Sequence, residues 1–585
     1  MQESTMPSSN DPSASGLRLV SKIVGPLPLL NGFLERLQIE HFLEQFVPSG
    51  DRRQKLSPAR GLCVLLRNIL LSRRPLYSLA EWAQRFDAPL LGLPDEASRC
   101  FNDDRVGRCL DALFLADRAS LMTDIVVHAV RTFDLDLTEL HNDSTTVTFT
   151  GQYVNADGTP VRGRPTHRIT RGVNKDHRAD LKQLLFVLTT TAEGAVPIWA
   201  HVDHGNTTDD VTHIHTWETL RRLSGTAAFL YVGDCKLCTE ANLTHIALHG
   251  GRFVTVIPAT WREHAQFHEW LRTHDAPWEE LLRKPNARGK TEPEEVYRGY
   301  EHPQRTRQGF RVLWIFSSQK EAFDRRARES RIEAAENALH EISVRIGQPH
   351  SRLLTFEQVS EAVQKVLREH QVQSWINTDI TVIEKEHFVQ ATKGRPGPKT
   401  IYVCHKEQRP QLRWQCHASA LLEEARTDGI FPLITNDESL SMKDVLLAYK
   451  HQPALEKRHE QFKSVLEVRP VMLKNHMRIE AFLFLYFLAL LTEALIERKT
   501  RQRMRKLKIK KIPLYPEERA CAAPTTERLF ELFEDLRRHR LIDADGKVRQ
   551  YFYDELSAPQ RIMLDLLQLP PEQYLSSAEQ PILGG

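Results

Sequence analysis

The chain has 585 residues, 41% of them hydrophobic and 26% charged, the proportions of a globular protein large enough for several domains with cores of their own. This composition excludes a collagen-like or wholly disordered chain, and eight cysteines without framework spacing exclude a disulfide-stapled fold. A formal net charge of +3 does not mark the whole chain as a nucleic-acid binder, so such a function has to come from local clustering of its 79 basic residues.

Residues 1–17, MQESTMPSSNDPSASGL, are polar, rich in Ser and Pro, and read as a disordered N-terminus without the apolar core of a signal peptide, which places the protein in the cytoplasm. Residues 18–125 read as a helical domain. Ser57-Pro58 is a cap with proline at the first helical position ahead of ARGLCVLLRNILL; SRRP then breaks the pattern, and Ser78 with Glu81 offers a capping box for LAEWAQRF. Two helices around a basic turn are a candidate DNA-reading pair, and an ordinary helical bundle fits the same pattern.

From 126 to 258 the pattern changes to strands. FDLDLTELHND, QLLFVLTTT, VPIWAHVDH and AAFLYVGD are followed by a helix near Cys238 to Leu248 and a strand at RFVTVIPA, which suits a mixed α/β sheet. Asp143 stands in the Thr- and Val-rich run of LTELHNDSTTVTFTG, and Asp234 follows the apolar run Phe229 to Gly233 at the end of a buried strand. Residues 259–428 form an insertion far longer than a loop, with strands at FRVLWIFSS and TIYVCHKE and a charged helix at KEAFDRRARESRIEAAENALHEI. Arg162 to Pro165 and Lys393 to Pro396, RGRP and KGRP, fit either minor-groove hooks or simple basic turns.

The core resumes over 429–500, from GIFPLITND through YKHQPALEKRHEQFKSVLEVRPV to RIEAFLFLYFLALLTEALIERK. The last of these is apolar nearly all round and so predicts a buried helix; its run Ala481 to Leu491 is too short to span a bilayer. Residues 501–585 read as a basic and helical C-terminal region. Its start overlaps Arg498 to Lys511, RKTRQRMRKLKIKK, which is either a solvated tail or a clamp on DNA phosphates.

Within the stretch 449–471, Pro453 fits only the first turn of a new helix, so Tyr449 ends the helix before it. At about 100° per residue, Glu456 and Lys463 then share one face. Charges at helical spacing ordinarily form a solvated face. Here, however, two strand-borne aspartates and one helix-borne glutamate together suit Mg²⁺, a hard ion that takes oxygen ligands from rigid elements and keeps several waters.

Tyr449-x2-Gln452-x3-Glu456-x6-Lys463 resembles the Tyr-x2-Arg-x3-Glu-x6-Lys signature of the DDE transposases of bacterial insertion sequences, family-four type, with Gln452 in place of the arginine. The text around it is also similar to that family: DSTT at the first aspartate, GVNKDHRADLKQ and HVDHGNTTDDVTH after it, GDCKL at the second, and RPV after the glutamate. The resemblance implies an RNase H-like catalytic core interrupted by a large α+β insertion, flanked by helical N- and C-terminal regions. It further implies cut-and-paste transposition, with Asp143, Asp234 and Glu456 as catalytic residues holding two Mg²⁺ ions, for which Mn²⁺ can substitute. Tyr449, Gln452, Lys463 and Arg469 would contact DNA, joined by Arg501, Arg503, Arg505 and Lys506 of the basic run. The implied partners are double-stranded DNA, as terminal inverted repeats and target, and a second subunit in a homodimer on DNA in the nucleoid, with no membrane. A structure-specific nuclease without strand transfer and a non-catalytic DNA-binding descendant are the alternative readings.

Overall fold

A computed structural model describes residues 17–49, 56–94, 101–285, 294–348, 350–468, 473–515, 517 and 519–575. Arg469 and nearly all of the N-terminal stretch read as disordered lie outside the described residues. The chain divides into two compact units, Met1–Val254 with Ala448–Gly585, and Thr255–Leu447.

Among the described residues the first unit opens with β1 (Arg18–Ile23) and the α-helices α1 (Leu27–Arg36), α2 (Ile39–Phe46), α3 (Pro58–Leu71), α4 (Leu79–Arg85), α5 (Asp103–Leu115) and α6 (Arg118–Phe133). Ser57 accepts from the Arg60 amide and Pro58 takes the first turn of α3, the cap that its sequence predicts. Since α3 is buried from Leu62 through Leu70, it serves as the centre of a helical bundle and offers no free face to a DNA groove.

The sheet follows: β2 (Glu139–Phe149), β3 (Lys182–Thr191), β4 (Pro197–Asp203), α7 (His213–Ser224), β5 (Leu230–Gly233), α8 (Glu240–Leu248) and β6 (Arg252–Val256). Its strand order is β4-β3-β2-β5-β6. β3 runs antiparallel to both β2 and β4, whereas β2, β5 and β6 run parallel to one another. β2 is buried on both faces almost throughout, as a strand in the middle of a covered sheet has to be.

The second unit holds α9 (Arg262–Thr273), β7 (Glu279–Lys284), β8 (Glu295–Glu301), β9 (Arg311–Ser317), α10 (Ser318–Arg345), α11 (Phe356–Glu369), β10 (Ile376–Gln390), β11 (Tyr402–Cys416), α12 (Ala418–Ala425), β12 (Ile430–Thr435) and most of α13 (Met442–Tyr449). Strands β12, β9, β8 and β7 are antiparallel neighbours. A separate core of Leu339, Val359, Val363, Trp375 and Leu412 joins α10 and α11 to the base of the β10–β11 hairpin. KGRP stands exposed in the loop of that hairpin.

The first unit resumes with α14 (Gln452–Glu460), a π turn (Gln461–Val465) and α15 (His476–Lys506). α15 is long and apolar enough to cross a membrane, yet 94% of its most apolar stretch is buried inside the protein, where it packs on α3, α5 and β4. The C-terminal region corrects the purely helical expectation. After short β13 (Ile512–Pro513) and β14 (Ala520–Cys521), α16 (Thr526–Phe533) leads to β15 (Arg537–Ile542) and β16 (Val548–Tyr553), and α17 (Ala558–Leu567) follows. β15 pairs with β1 at the far end of the sequence, and its Arg538 and Arg540 both bind the buried Asp87 carboxylate. No local pattern announces a strand whose partner is so distant.

Within α15, Glu493 is buried and its Oε2 has no hydrogen-bond partner. Burial, with Glu497 one turn on, pushes its carboxyl up to about 8. A carboxyl pKa raised on folding adds stability that is complete below the unfolded value and is lost as pH rises through the folded value. Thermal melts should therefore show the wild type losing stability as pH rises from about 5 to about 8, and Glu493→Gln losing clearly less; equal losses would clear Glu493 of the effect.

Candidate active site

Asn142 of β2 is in register with Gly233 of β5. One residue further along these parallel strands stand Asp143 and Asp234, on strands about 4.8 Å apart. The two carboxylates feel each other: burial, then Asp143, pushes Asp234 up to about 6. Burial also raises Asp143. Glu456, exposed on α14, is raised by partial burial and then by Asp143. Asp143 is thus the common neighbour of the other two acids, and α14 packs directly on β2.

A fourth carboxylate and a lysine complete the cluster. Lys175 Nζ lies 3.3 Å from Asp143 Oδ1 and 2.8 Å from Asp209 Oδ2, and it donates to the Ser144 carbonyl at 2.7 Å. The Ser144 hydroxyl donates to Asp209 Oδ1 at 2.6 Å. Sequence reasoning did not select Lys175 or Asp209, although both lie in the quoted segments GVNKDHRADLKQ and HVDHGNTTDDVTH. His459, also missed, is buried with its Nε2 3.6 Å from Asp143 Oδ2. Burial, then Lys175 and Lys463, holds it down to about 3, so it stands beside the acids as a neutral imidazole.

The other sequence-selected residues divide by position. Tyr449 belongs to the cluster: burial, then Asp234, Cys235 and Glu456, pushes its phenol up to about 12. Lys463 is mostly buried and binds Asp176 at 2.8 Å, the residue next to Lys175. Gln452, read from the sequence as a DNA contact, is instead buried. Its Nε2 donates to the Asn142 carbonyl at 3.3 Å and its Oε1 meets His141 Nδ1 at 3.1 Å, which commits the amide to joining α14 to β2. Arg458, six residues on, is the arginine that holds this helix: it donates to the Ala195 and Gly194 carbonyls, each at 2.9 Å, and pairs with buried Glu497 at 2.9 Å.

The basic run is also divided. Arg498 is buried, bound to Glu193 and to the Phe133 and Asp134 carbonyls. Arg501 and Arg505, with Lys508 and Lys510, line a cleft of about 940 Å³ that includes His451. Arg501 is bound to Glu497 at 3.3 Å and Arg505 to Glu193 at 2.9 Å. Arg503 is half-buried, while Lys506 is exposed.

Residues 19–127 match the family model described as a domain of unknown function (DUF4277). No curated protein matches the chain. Among solved structures it is similar to the piggyBac transposase synaptic complex with hairpin DNA, at 9% identity and a TM-score of 0.24, with 86% of each chain covered. It is also similar to the Mos1 transposase paired-end complex with the left transposon end, at 11% identity and a TM-score of 0.14, over 37% of this chain and 62% of that one.

Because Arg458 and Glu497 are both buried, removing the arginine leaves the carboxylate with the half-exposed Arg501 as its paired cation, a loss of up to about 3–5 kcal/mol. Arg458→Ala should lower the unfolding free energy in denaturant by that order, whereas Glu460→Gln, an exposed change two residues away, should leave it within about 0.5 kcal/mol.

Proposed function

We propose that the protein is a DNA transposase of the DDE type, which cuts phosphodiesters at the ends of a mobile element and joins the freed ends to target DNA. The observation that carries this reading is the convergence on Asp143 of Asp234 from the neighbouring parallel strand and Glu456 from α14. The strand order and directions of β4-β3-β2-β5-β6 fit the RNase H-like core that the sequence resemblance implies; the second unit contains the implied insertion, 259–428, together with β12 and most of α13, which the sequence assigns to the core.

The donor set fits a divalent cation. Burial and the neighbouring acids raise Asp143, Asp234 and Glu456, while Lys175 supplies one compensating charge to Asp143 and Asp209, so negative charge is in excess. Asp143, Asp234 and Glu456 would hold Mg²⁺ or Mn²⁺, which when bound neutralises the charge developing at the phosphate and lowers the pKa of water. The rest falls to the chain itself. Gln452 and Arg458 fix the direction of α14 and hence of Glu456. Lys175 bridges Asp143 and Asp209, Tyr449 presents a protonated phenol beside the acids, and the basic cleft offers cations to backbone phosphates.

In the first reaction the oxygen of water bonds to phosphorus, the P–O3′ bond breaks, and the departing 3′ oxygen takes up a proton. In the second, the freed 3′-hydroxyl loses its proton and bonds to a target phosphorus, displacing the target's own 3′ oxygen. Element ends and target are both double-stranded DNA, and a homodimer would hold two ends together.

Asp143→Asn and Glu456→Gln should each abolish Mg²⁺-dependent nicking and strand transfer while leaving filter-binding affinity for DNA within a few-fold, and Glu460→Gln should stay active. Strand transfer by Glu456→Gln would remove the assignment; nicking by the wild type without any joining would identify a nuclease. Replacing Arg501, Arg505, Lys508 and Lys510 with glutamine should flatten the slope of log affinity against log salt by up to about 3.6, at about 0.9 for each phosphate no longer neutralised. An unchanged slope would exclude the cleft from DNA binding.

A further inference from the structure

Upstream of the acids, Glu139 and His141 of β2 and His451, just before α14, bring one ligand atom each to within 4.8 Å of one another. His141 Nε2 lies 2.9 Å and His451 Nδ1 2.8 Å from the same oxygen, Glu139 Oε1. The hydrogen bonds around His141 make this more than an ion pair. A backbone carbonyl can only accept, so the contact of Gln452 Nε2 with the Asn142 carbonyl fixes which end of the amide faces which way. Gln452 Oε1 is then the atom at His141 Nδ1, and Nδ1 must carry the hydrogen. With that hydrogen on Nδ1, the short contact between Nε2 and the carboxylate is filled by a second ring proton or by a metal ion.

We infer that Glu139, His141 and His451 form a binding site for a transition-metal ion of the Zn²⁺ class, separate from the carboxylate cluster. Two imidazoles and one carboxylate are a ligand set for zinc with a fourth position left open. A metal-bound histidine almost always donates its other ring hydrogen to an oriented acceptor, and Gln452 Oε1 is that acceptor for His141. Ligand atoms bound at about 2.0–2.2 Å in a tetrahedron lie about 3.3–3.6 Å apart, so the two histidine–carboxylate separations need open by about half an ångström, and the two ring nitrogens already lie within 4.8 Å of each other. Half-exposed His451 gives solvent access, and buried His141 gives rigidity. An ion here would staple the strand that carries Asp143 to the start of the helix that carries Glu456. It is a positioning device, and its existence does not depend on the transposase reading.

Cobalt tests the site directly, since Co²⁺ in a four- or five-coordinate nitrogen and oxygen site absorbs visibly whereas six-coordinate carboxylate sites absorb faintly. The full chain, stripped by a chelator and held in excess Mg²⁺, should develop this band with one equivalent of Co²⁺ and lose it on adding Zn²⁺. Asp143→Asn should keep the band while losing nicking. His451→Ala and Glu139→Gln should abolish it, and Gln452→Leu should weaken cobalt affinity about 10–100-fold. Absence of the band in the wild type, its survival in His451→Ala, or its loss in Asp143→Asn would each overturn the site.

Discussion

Like charges held close together are the constraint to which the first unit answers. Parallel pairing of β2 with β5 sets Asp143 beside Asp234, and burial raises both; a fold gains nothing in stability from such an arrangement and has to hold it by other means. Those means are visible on the inner side of α14. Gln452, Leu455, Arg458 and His459 are buried, and the polar members among them except His459 are committed to hydrogen bonds within the protein. Glu456 is left on the outward side, facing Asp143 only because its helix cannot turn.

The same network reaches the basic run. Arg458 binds Glu497, Glu497 binds Arg501, and Arg501 also donates to the Pro524 carbonyl. A continuous series of buried or half-buried groups thus links the helix bearing Glu456 to the wall of the cleft, on α15. Position within that helix decides what each cation does. Arg498, deep in the packing, satisfies the carbonyls that end α6, whereas Arg505, one turn beyond Arg501, is exposed. A run of charge that looks uniform in sequence therefore contains structural and solvent-facing members, sorted by burial.

Much of this was legible in the sequence where local chemistry decides. The cap at Ser57, the buried strand ending at Asp234 and the all-round apolar α15 follow from residue type and period alone. The break at Pro453 likewise separates α13 from α14. What could not be read are pairings at long range. Nothing near RRHRLI indicates that it lies against RLVSKI at the other end of the chain. Lys175 stands in a turn and Asp209 opens a 3-10 helix of four residues, both too short for a period to report the direction of a side chain; only the packing around Ser144 brings them to Asp143. Gln452 misled because a signature position suggests a contact with ligand, while its burial is a property of the tertiary fold.

Lys463 shows why spacing alone was insufficient. Seven residues separate it from Glu456, which on a regular helix would place both side chains in one direction. The segment Gln461–Val465 is instead a π turn, in which each residue advances by less than the usual 100° and the later side chains lag behind their α-helical directions. Lys463 comes round to Asp176, and the adjacent Lys175 points to Asp143 and Asp209. One short segment of chain therefore ties the strand that carries Asp143 by a cation and the turn that follows α14 by an anion. The placement of Lys463 at Asp176 and that of Lys175 among the acids are thus joined through a single peptide bond.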